Sequence, residues 1–322
     1  MLVQTVSNSS YDSIVHRLNR ASVQKHADAY IDVPWEDPDY QIDPEAPCWE
    51  LDALDPLGAT GWYRDRAPAV RARMGLDTAA ARMKFGIDFE NILSRGLLEF
   101  AQTRENGSLD FRYAYHEVIE EGQHSLMFQE FVNRSGAAAS GVTGWRKHFT
   151  RNIPRLGRTF PELFFAYVLA GEVPIDQVQR RDLRNPGRHP LLRRITQIHV
   201  TEEARHVCFA ENYLALHVPQ LPRLRLAQLR VMAPFVTAET AKLMLHTPEW
   251  LRRRYAIPAA VIADAKYATP ARAFIADSVK PLVEKFLELG LITRLTLPLW
   301  HALGLTASVP ALSSGERPLL SR

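Results

Sequence analysis

Cysteine is scarce in this sequence, and its scarcity excludes several kinds of site. Cys48 and Cys208 are the two cysteines among 322 residues. They are too few for a disulfide framework, and no CxxC pair is present to bind a metal through thiolates. The N-terminus also lacks the apolar segment behind a basic head that marks a secretory signal. We therefore expect a cytoplasmic protein.

Long hydrophobic runs are missing as well. The longest clean one, LFFAYVLAG at 163–171, has about half of the roughly 20 residues that a membrane helix needs. Charge of one sign is not in large excess either, because 39 Lys and Arg face 36 Asp and Glu. This bias is too weak to indicate nucleic acid. We expect neither a membrane span nor a nucleic-acid partner, although arginine clusters such as LRRRY at 251–255 leave an acidic partner open.

The distribution of proline divides the chain into two parts. Residues 30–68 are rich in Pro, Asp and Trp, and repeated X-Pro steps exclude a long helix there. We interpret residues 1–68 as an irregular N-terminal wrap. From 77 to 305, apolar residues recur at three- and four-residue spacing without period-two strands, which predicts a helical body. We expect one all-α domain over 1–322, with a loose tail at 306–322.

Turn-forming stretches separate four long helical segments that we expect to form the core. These segments are 77–103, 109–133, 158–183 and 189–217. Further helices are predicted at 222–247, 258–266, 270–290 and 291–304 to flank this core.

The pattern Glu-Glu-x-x-His occurs twice in the predicted core, as EEGQH and EEARH. Residues at i and i+3 lie on one face of a helix, so Glu121 and His124 can point at one centre. The same holds for Glu203 and His206. Each motif therefore offers one carboxylate able to bridge and one imidazole.

The repetition extends upstream of both motifs. Glu90 precedes Glu121 by 31 residues, and Glu172 precedes Glu203 by the same number. This gap allows a chain to run out along one helix, turn and return to the same level. Four helices then deliver four carboxylates and two histidines to one buried point.

Four buried carboxylates are strongly unfavourable without compensating charge, and a pair of divalent metals supplies it. A Glu from each of two helices plus Glu-x-x-His from each of two others is the dinuclear site of ferritin-like bundles. A ligand set rich in oxygen suits iron or manganese better than structural zinc. A single ExxH is common on solvated helix faces, but two copies with matched upstream glutamates are not. We predict a ferritin-like four-helix bundle with a dinuclear metal site.

Four further polar residues near the motifs raise separate expectations. Glu120 and Glu202 fall about 100° around the helix from their neighbours, so we expect them to accept the outer ring N–H of a histidine ligand on a neighbouring helix. Glu117 adds an acid close to the first motif, and we expect it to lie in the shell of residues around the ligands as well. His199 shares a face with Glu203, but helix side chains lean toward the N-terminus, so ligation by His199 predicts a bulge near 199–203. A packed core histidine is the alternative.

These residues resemble the metal motifs of a known family, the di-iron arylamine N-oxygenases (p-aminobenzoate N-oxygenases). The resemblance rests on FE at 89–90, EEGQH at 120–124, GE at 171–172 and HVTEEARH at 199–206. In spacing and length it spans roughly residues 20–290. The third histidine, in H-x-x-x-E-x-x-H, distinguishes this family from other ferritin-like oxygenases.

The resemblance implies a ferritin-like fold, often homodimeric, that holds two iron ions. The implied ligands are Glu90, Glu121, His124, Glu172, His199, Glu203 and His206. The reduced pair would bind O₂, form a peroxo-bridged diferric species and oxidise the nitrogen of a small-molecule aromatic amine toward hydroxylamine, nitroso or nitro. Two departures bear on this reading. Glu120 and Glu202 replace the Asp of the family's DExxH units, and Glu117 is an additional acid.

The residues are also compatible with three other functions. An acyl-carrier-protein desaturase or C–H hydroxylase has the same doubled arrangement, but it manages with two histidines, so His199 weighs against it. Ferritin-like iron oxidation and storage needs no organic pocket and leaves the helices after 220 without evident use. A non-enzymatic helical interaction protein requires all seven candidate ligands to be bystanders.

Electrons for such a reaction have to come from outside, because the chain has no nucleotide loop and no iron–sulfur cysteines. We expect an external electron donor. Six apolar residues lie within about two turns of candidate ligands, and we expect them to be core residues first and substrate contacts second; they are Phe85, Phe89, Phe164, Phe165, Tyr167 and Val168.

Overall fold

The computed structural model describes residues 7–306, which form helices and turns with no β-strand in that range. The helices are α1 (Asn8–Gln24), α2 (Gly61–Arg64), α3 (Pro68–Ala101), α4 (Leu109–Ser135), α5 (Gly144–Thr150), α6 (Leu156–Thr159), α7 (Pro161–Arg184), α8 (Pro190–His217), α9 (Arg223–Leu245), α10 (Glu249–Arg254), α11 (Ala259–Tyr267), α12 (Thr269–Glu288) and α13 (Leu297–Ala302). Short 3₁₀ turns lie at Pro38–Tyr40, Pro47–Trp49, Ile153–Arg155 and Val218–Gln220. This architecture confirms the all-α, ferritin-like fold expected from the sequence.

Helices α3, α4, α7 and α8 form the central four-helix bundle. The α3 helix packs along α4, α7 packs along α8, and contacts between α4 and α8 and between α3 and α7 close the bundle. Short connections join the members of each pair, so the chain turns back on itself between them. On the outside, α1 packs on α4 and α8, while α9 and α12 pack on α7.

Local sequence signals explain where the core helices begin and end. The Ser108 side chain accepts the backbone N–H of Phe111 at 3.1 Å and caps the start of α4. Gly136 ends α4 in the left-handed conformation at φ 63°. Pro161 and Pro190 begin α7 and α8, where the first turn tolerates a residue without an N–H.

The N-terminal part differs from the expectation of an irregular wrap. Residues 8–24 form the helix α1, whose start is capped by the Ser7 side chain. The α3 helix begins at Pro68 rather than near 77, because proline fits the first helical turn. Residues 25–60 contain two 3₁₀ turns and are otherwise irregular. The α10 helix is not predicted by the sequence. The loose tail predicted at 306–322 lies outside the described residues, apart from residue 306.

A glycine allows α3 and α7 to approach closely beside the two upstream glutamates of the repeated motif. A Cβ atom at Gly171 would overlap the ring of Phe89. These two residues directly precede Glu172 and Glu90 in sequence. The close approach therefore brings both glutamates to the same level of the bundle.

A helix that spans a membrane needs about 20 consecutive, mostly apolar residues. No helix within residues 7–306 combines the length and hydrophobicity required for a membrane span.

Candidate metal centre

Eight ionisable side chains meet inside the four-helix bundle, and none is more than 2% exposed. The α3 helix supplies one, α4 three, α7 one and α8 three. They are Glu90, Glu117, Glu121, His124, Glu172, His199, Glu203 and His206. All seven metal ligands expected from the sequence are in this cluster, together with Glu117.

Ligand atoms of these residues form four overlapping groups, in each of which the atoms lie within 4.8 Å of one another. The groups are Glu90, His124 and His199; Glu117, Glu121 and His206; Glu121, His124 and Glu203; and Glu172, His199 and Glu203. The overlap means that neighbouring groups share residues. This is the arrangement needed for two adjacent ions held by common carboxylates.

Glu121 and Glu203 each span the two motif histidines. The Nδ1 atom of His124 lies 3.3 Å from Oε2 of Glu121 and 3.1 Å from Oε1 of Glu203. The Nδ1 atom of His206 lies 3.3 Å from Oε1 of Glu121 and 3.1 Å from Oε2 of Glu203. Each carboxylate thus directs one oxygen toward each imidazole, as a bridging ligand would.

The outer nitrogen of each motif histidine contacts the doubled acid of the other motif. Glu202 Oε2 lies 2.9 Å from Nε2 of His124, and Glu120 Oε2 lies 2.7 Å from Nε2 of His206. A hydrogen on Nε2 leaves the lone pair of Nδ1 directed at the centre of the cluster. These contacts are of the kind expected from the sequence; their effect on a bound metal stays a prediction.

Arg205 lies between the two outer acids and is not predicted as a site residue by the sequence. Its Nη2 atom is 2.8 Å from Oε1 of Glu120 and 3.4 Å from Oε1 of Glu202. The backbone N–H of Ala27 donates to the same oxygen of Glu202 at 2.8 Å. Burial would raise the pKa of Glu120, but the hydrogen bonds from His206 and Arg205 lower it to about 2. The guanidinium therefore supports the Glu120 carboxylate in its charged form and also contacts Glu202.

We expect Arg205→Met to destabilise the metal-free protein by about 3 kcal/mol, because it leaves two buried carboxylates without their cation. Urea unfolding at neutral pH measures this change. The matched control is Arg194→Met on the same helix, where a 3.9 Å ion pair with Asp32 and a hydrogen bond to its backbone oxygen are partly exposed; their loss should cost about 1 kcal/mol or less. Equal effects of the two substitutions would contradict a structural role for the Arg205 contacts.

His199 reaches the cluster through the far nitrogen of its ring. Its Nε2 atom lies 3.5 Å from Oε1 of Glu90 and 3.7 Å from Oε1 of Glu203. The α8 helix is α-helical over its whole length, so the bulge predicted near 199–203 is absent. The bulge is unnecessary because Nε2, at the end of the imidazole, extends far enough from an undistorted backbone.

Gln179 of α7 holds the other nitrogen of His199. The Oε1 atom of Gln179 lies 2.9 Å from Nδ1, so a hydrogen there leaves the lone pair of Nε2 facing the cluster. Burial lowers the pKa of His199 to about 4, which keeps the ring neutral near neutral pH. Gln179 is not predicted from the sequence, because it lies outside the repeated motif.

Glu117 belongs to the inner cluster rather than to the surrounding shell expected from the sequence. Its carboxylate groups with Glu121 and His206, and neither of its oxygens accepts a hydrogen bond from any described residue. Burial raises its pKa to about 7. Glu117 precedes His199 by the same 82 residues that separate the two motifs. The two residues are therefore equivalent positions in the two halves of the bundle.

The donor set fits divalent cations. One oxygen each of Glu90, Glu121 and Glu203, and both of Glu117, are buried without a hydrogen-bond donor among residues 7–306. Burial and the neighbouring charges of Glu203 and Glu121 raise the pKa of Glu172 well above its usual range. Burial lowers the pKa of His124, but its hydrogen bonds to Glu121, Glu202 and Glu203 outweigh burial and raise this pKa. The unpaired carboxylate oxygens therefore lack the neutralising partners that divalent cations supply.

A narrow inner cavity of about 50 Å³ borders the cluster. Glu90, Glu172 and His199 line one side of it, and Phe85 and Phe89 are among its apolar walls. The other four apolar residues near the ligands pack in the main hydrophobic core, which is the first role expected for them, and do not line this cavity; they are Phe164, Phe165, Tyr167 and Val168.

Comparisons with known proteins agree with this site. The profile of the family described as p-aminobenzoate N-oxygenase AurF matches residues 8–290. Uncharacterized proteins of Mycobacterium tuberculosis and Mycobacterium bovis are 31% identical over 301 residues, which cover 93% of this chain and 88% of theirs. No solved structure matches the chain significantly. The matched region contains the whole four-helix bundle and every member of the buried cluster, and the chain belongs to the p-aminobenzoate N-oxygenase AurF family.

Proposed function

We propose that this protein is a di-iron oxygenase that uses O₂ to oxidise the nitrogen of an aromatic amine to hydroxylamine, nitroso or nitro. The proposal rests chiefly on the buried cluster, in which five carboxylate oxygens have no donor among the described residues. A single cation leaves much of this negative charge uncompensated, whereas two divalent ions match it. Family membership supports the oxygenase chemistry.

The proposed ligands are the seven residues expected from the sequence, with Glu117 as an eighth candidate. Iron is the proposed metal and manganese the alternative, because both accept a ligand set of carboxylates and imidazoles without thiolate. When bound and reduced, the metal pair supplies the electrons that activate O₂. The chain's own contribution is to hold the ligands: Glu202, Glu120 and Gln179 each position one histidine ring.

The inner cavity gives the amine a place beside the cluster. Its walls are mostly apolar, including Phe85, Phe89 and Phe128, and these side chains exclude water from the reacting nitrogen. The ligand residues Glu90, Glu172 and His199 border the same space. An amine in this cavity therefore lies against the proposed metal ligands themselves.

Oxidation of an amine to a hydroxylamine incorporates one atom of O₂ and releases the other as water. The step takes up two electrons and two protons, and the sequence has neither a nucleotide loop nor iron–sulfur cysteines to deliver them. The external electron donor is therefore part of the proposal. The homodimer and the cytoplasmic location remain predictions from the sequence.

The function is tested by single-turnover oxidation. The iron-loaded protein is reduced without oxygen, mixed with an aromatic amine such as p-aminobenzoate and exposed to ¹⁸O₂, and the products are analysed by mass spectrometry. We expect an N-oxygenated product that carries ¹⁸O. A parallel reaction with an acyl chain on its carrier protein tests the desaturase and C–H hydroxylase alternative. Oxidation of the acyl chain without oxidation of any amine would reject the proposal.

A further inference from the structure

The inner cavity is too small for a whole aromatic substrate, and this bears on the substrate class of the proposed oxygenase. Its volume is about 50 Å³, whereas an engineered cavity that holds benzene measures about 150 Å³. The amine end of a substrate fits beside Glu90 and His199. The rest of the molecule has to occupy adjoining space.

A larger outer cavity adjoins the inner one. It measures about 330 Å³ and lies between residues 78–85 of α3, residues 140–146 and residues 242–252, which include the end of α9 and the start of α10. We call it the vestibule. Arg82, Phe85 and Met244 line both cavities, so these three side chains form the boundary between them. A molecule that occupies both cavities therefore lies against Phe85 and Met244.

Cationic side chains dominate the vestibule. Five of them line it, Arg82, Arg146, Lys242, Arg252 and Lys266, against the two carboxylates of Asp55 and Glu249. Some of this charge is already paired. Arg82 contacts Asp55 at 2.7 Å and Arg252 contacts Glu249 at 2.9 Å, while Lys242 and Arg146 contact Glu239 at 3.1 and 3.6 Å. The five cations still outnumber the three carboxylates of Asp55, Glu239 and Glu249, which favours an anionic ligand.

Four hydrogen-bond donors in the same cavity are buried without a partner among the described residues. They are Nε of Arg146, Nε of Arg252, Nε1 of Trp250 and, in one tautomer, Nε2 of His246. Arginine and tryptophan nitrogens only donate hydrogen bonds, so an acceptor is required to satisfy them. Buried donors left unsatisfied are unfavourable, and they indicate a ligand that carries oxygen acceptors.

We propose that the vestibule binds an oxyanion on the tail of the substrate, while the amine nitrogen at the other end enters the inner cavity. The substrate class is then an extended arylamine that bears a carboxylate or a phosphate ester at its distal end. This inference rests on the proposed function for the role of the amine. The oxyanion site itself rests on the charge and the unpaired donors of the vestibule.

Binding is measured by isothermal titration calorimetry on the oxidised, iron-loaded protein, which does not turn over. The ligands are 4-(4-aminophenyl)butanoate, 4-aminophenyl phosphate and the neutral 4-butylaniline. We expect the two charged amines to bind at least about 10-fold more tightly than 4-butylaniline, because charge-assisted hydrogen bonds are strong. The tighter of the two identifies the oxyanion as carboxylate or phosphate. Equal affinities for charged and neutral amines would overturn the inference.

Variants locate the oxyanion. Arg252→Gln and, independently, Lys266→Gln should each weaken binding of the charged amines by about 10-fold and leave 4-butylaniline within about twofold. The matched control is Arg253→Gln: this neighbour pairs with the same Glu249 but is exposed and does not line the vestibule. Losses of equal size in Arg252→Gln and Arg253→Gln would attribute the effect to general surface charge and overturn the inference.

The two proposals fail in distinguishable ways. If the charged amines bind as expected but no N-oxygenated product forms in the single-turnover assay, the proposed function is wrong and the oxyanion site stands. If amines are N-oxygenated with no preference for an anionic tail in binding, the function stands and the oxyanion site is wrong.

Discussion

Glu203→Ala is expected to remove most of the bound iron, from about two ions per chain to fewer than one. Glu203 directs one oxygen to each motif histidine, at 3.1 Å from Nδ1 of both His124 and His206. Its loss therefore removes a ligand from both proposed ions rather than from one. Metal analysis after reconstitution with ferrous iron measures the change, and circular dichroism establishes that the helices are retained.

The control for this substitution lies on the same helix. Glu211→Ala removes an acid that pairs with Lys285 at 3.3 Å, and the side chains of this pair are about 30% exposed. This variant should retain its full iron content. Retention of two ions by Glu203→Ala as well would show that Glu203 is not a ligand and would count against the bridged arrangement.

His199→Ala is expected to cost one of the two ions and to leave the other. His199 lies near Glu90 and Glu203, whereas Glu117 occupies the equivalent position in the other half, beside Glu121 and His206. Loss of the imidazole therefore affects the two proposed ions unequally. Iron analysis and the Mössbauer spectrum of the ⁵⁷Fe-loaded variant report this difference.

A second variant separates ligation by His199 from its packing. Gln179→Leu retains the ring but removes the acceptor at Nδ1, 2.9 Å away, and should weaken iron binding by about 10- to 100-fold, as loss of outer hydrogen bonds to ligands does. Unaltered iron content and spectra in His199→Ala would instead identify His199 as a packed core histidine.

The sequence predicts the core helices well because their apolar residues recur with helical spacing and their turns have a distinct composition. The α1 helix is not predicted because its apolar face, which includes Tyr11, Val15 and Leu18, lies among many polar residues. The start of α3 at Pro68 is not predicted either, because this proline is compatible both with a helix start and with the proline-rich segment before it.

The composition of the cluster is predictable because it depends on spacing that is repeated in the two halves. Arg205 and Gln179 depend instead on contacts between helices, to Glu120 and to His199, which no repeated pattern indicates. For Arg205 there is one signal: two buried outer acids require a cation, and the arginine lies one turn after Glu202. For Glu117 the signal is its separation of 82 residues from His199, which makes the two residues equivalent positions in the repeat.

The vestibule could not be predicted from the sequence. Its residues come from α3, the segment before α5, and the stretch from α9 to α11, which are far apart along the chain. Arginine clusters such as 251–255 are usually solvated faces. The structure separates Arg252, which lines the vestibule, from Arg253, whose side chain is 79% exposed.

The central claim, that the bundle holds two adjacent ions bridged by carboxylates, is tested most directly by Mössbauer spectroscopy of the oxidised protein loaded with ⁵⁷Fe. We expect about two irons per chain in a spin-coupled, diamagnetic ground state, as adjacent bridged ferric ions give. Magnetically isolated ferric ions, or a protein that binds no stoichiometric metal after reconstitution, would contradict the account.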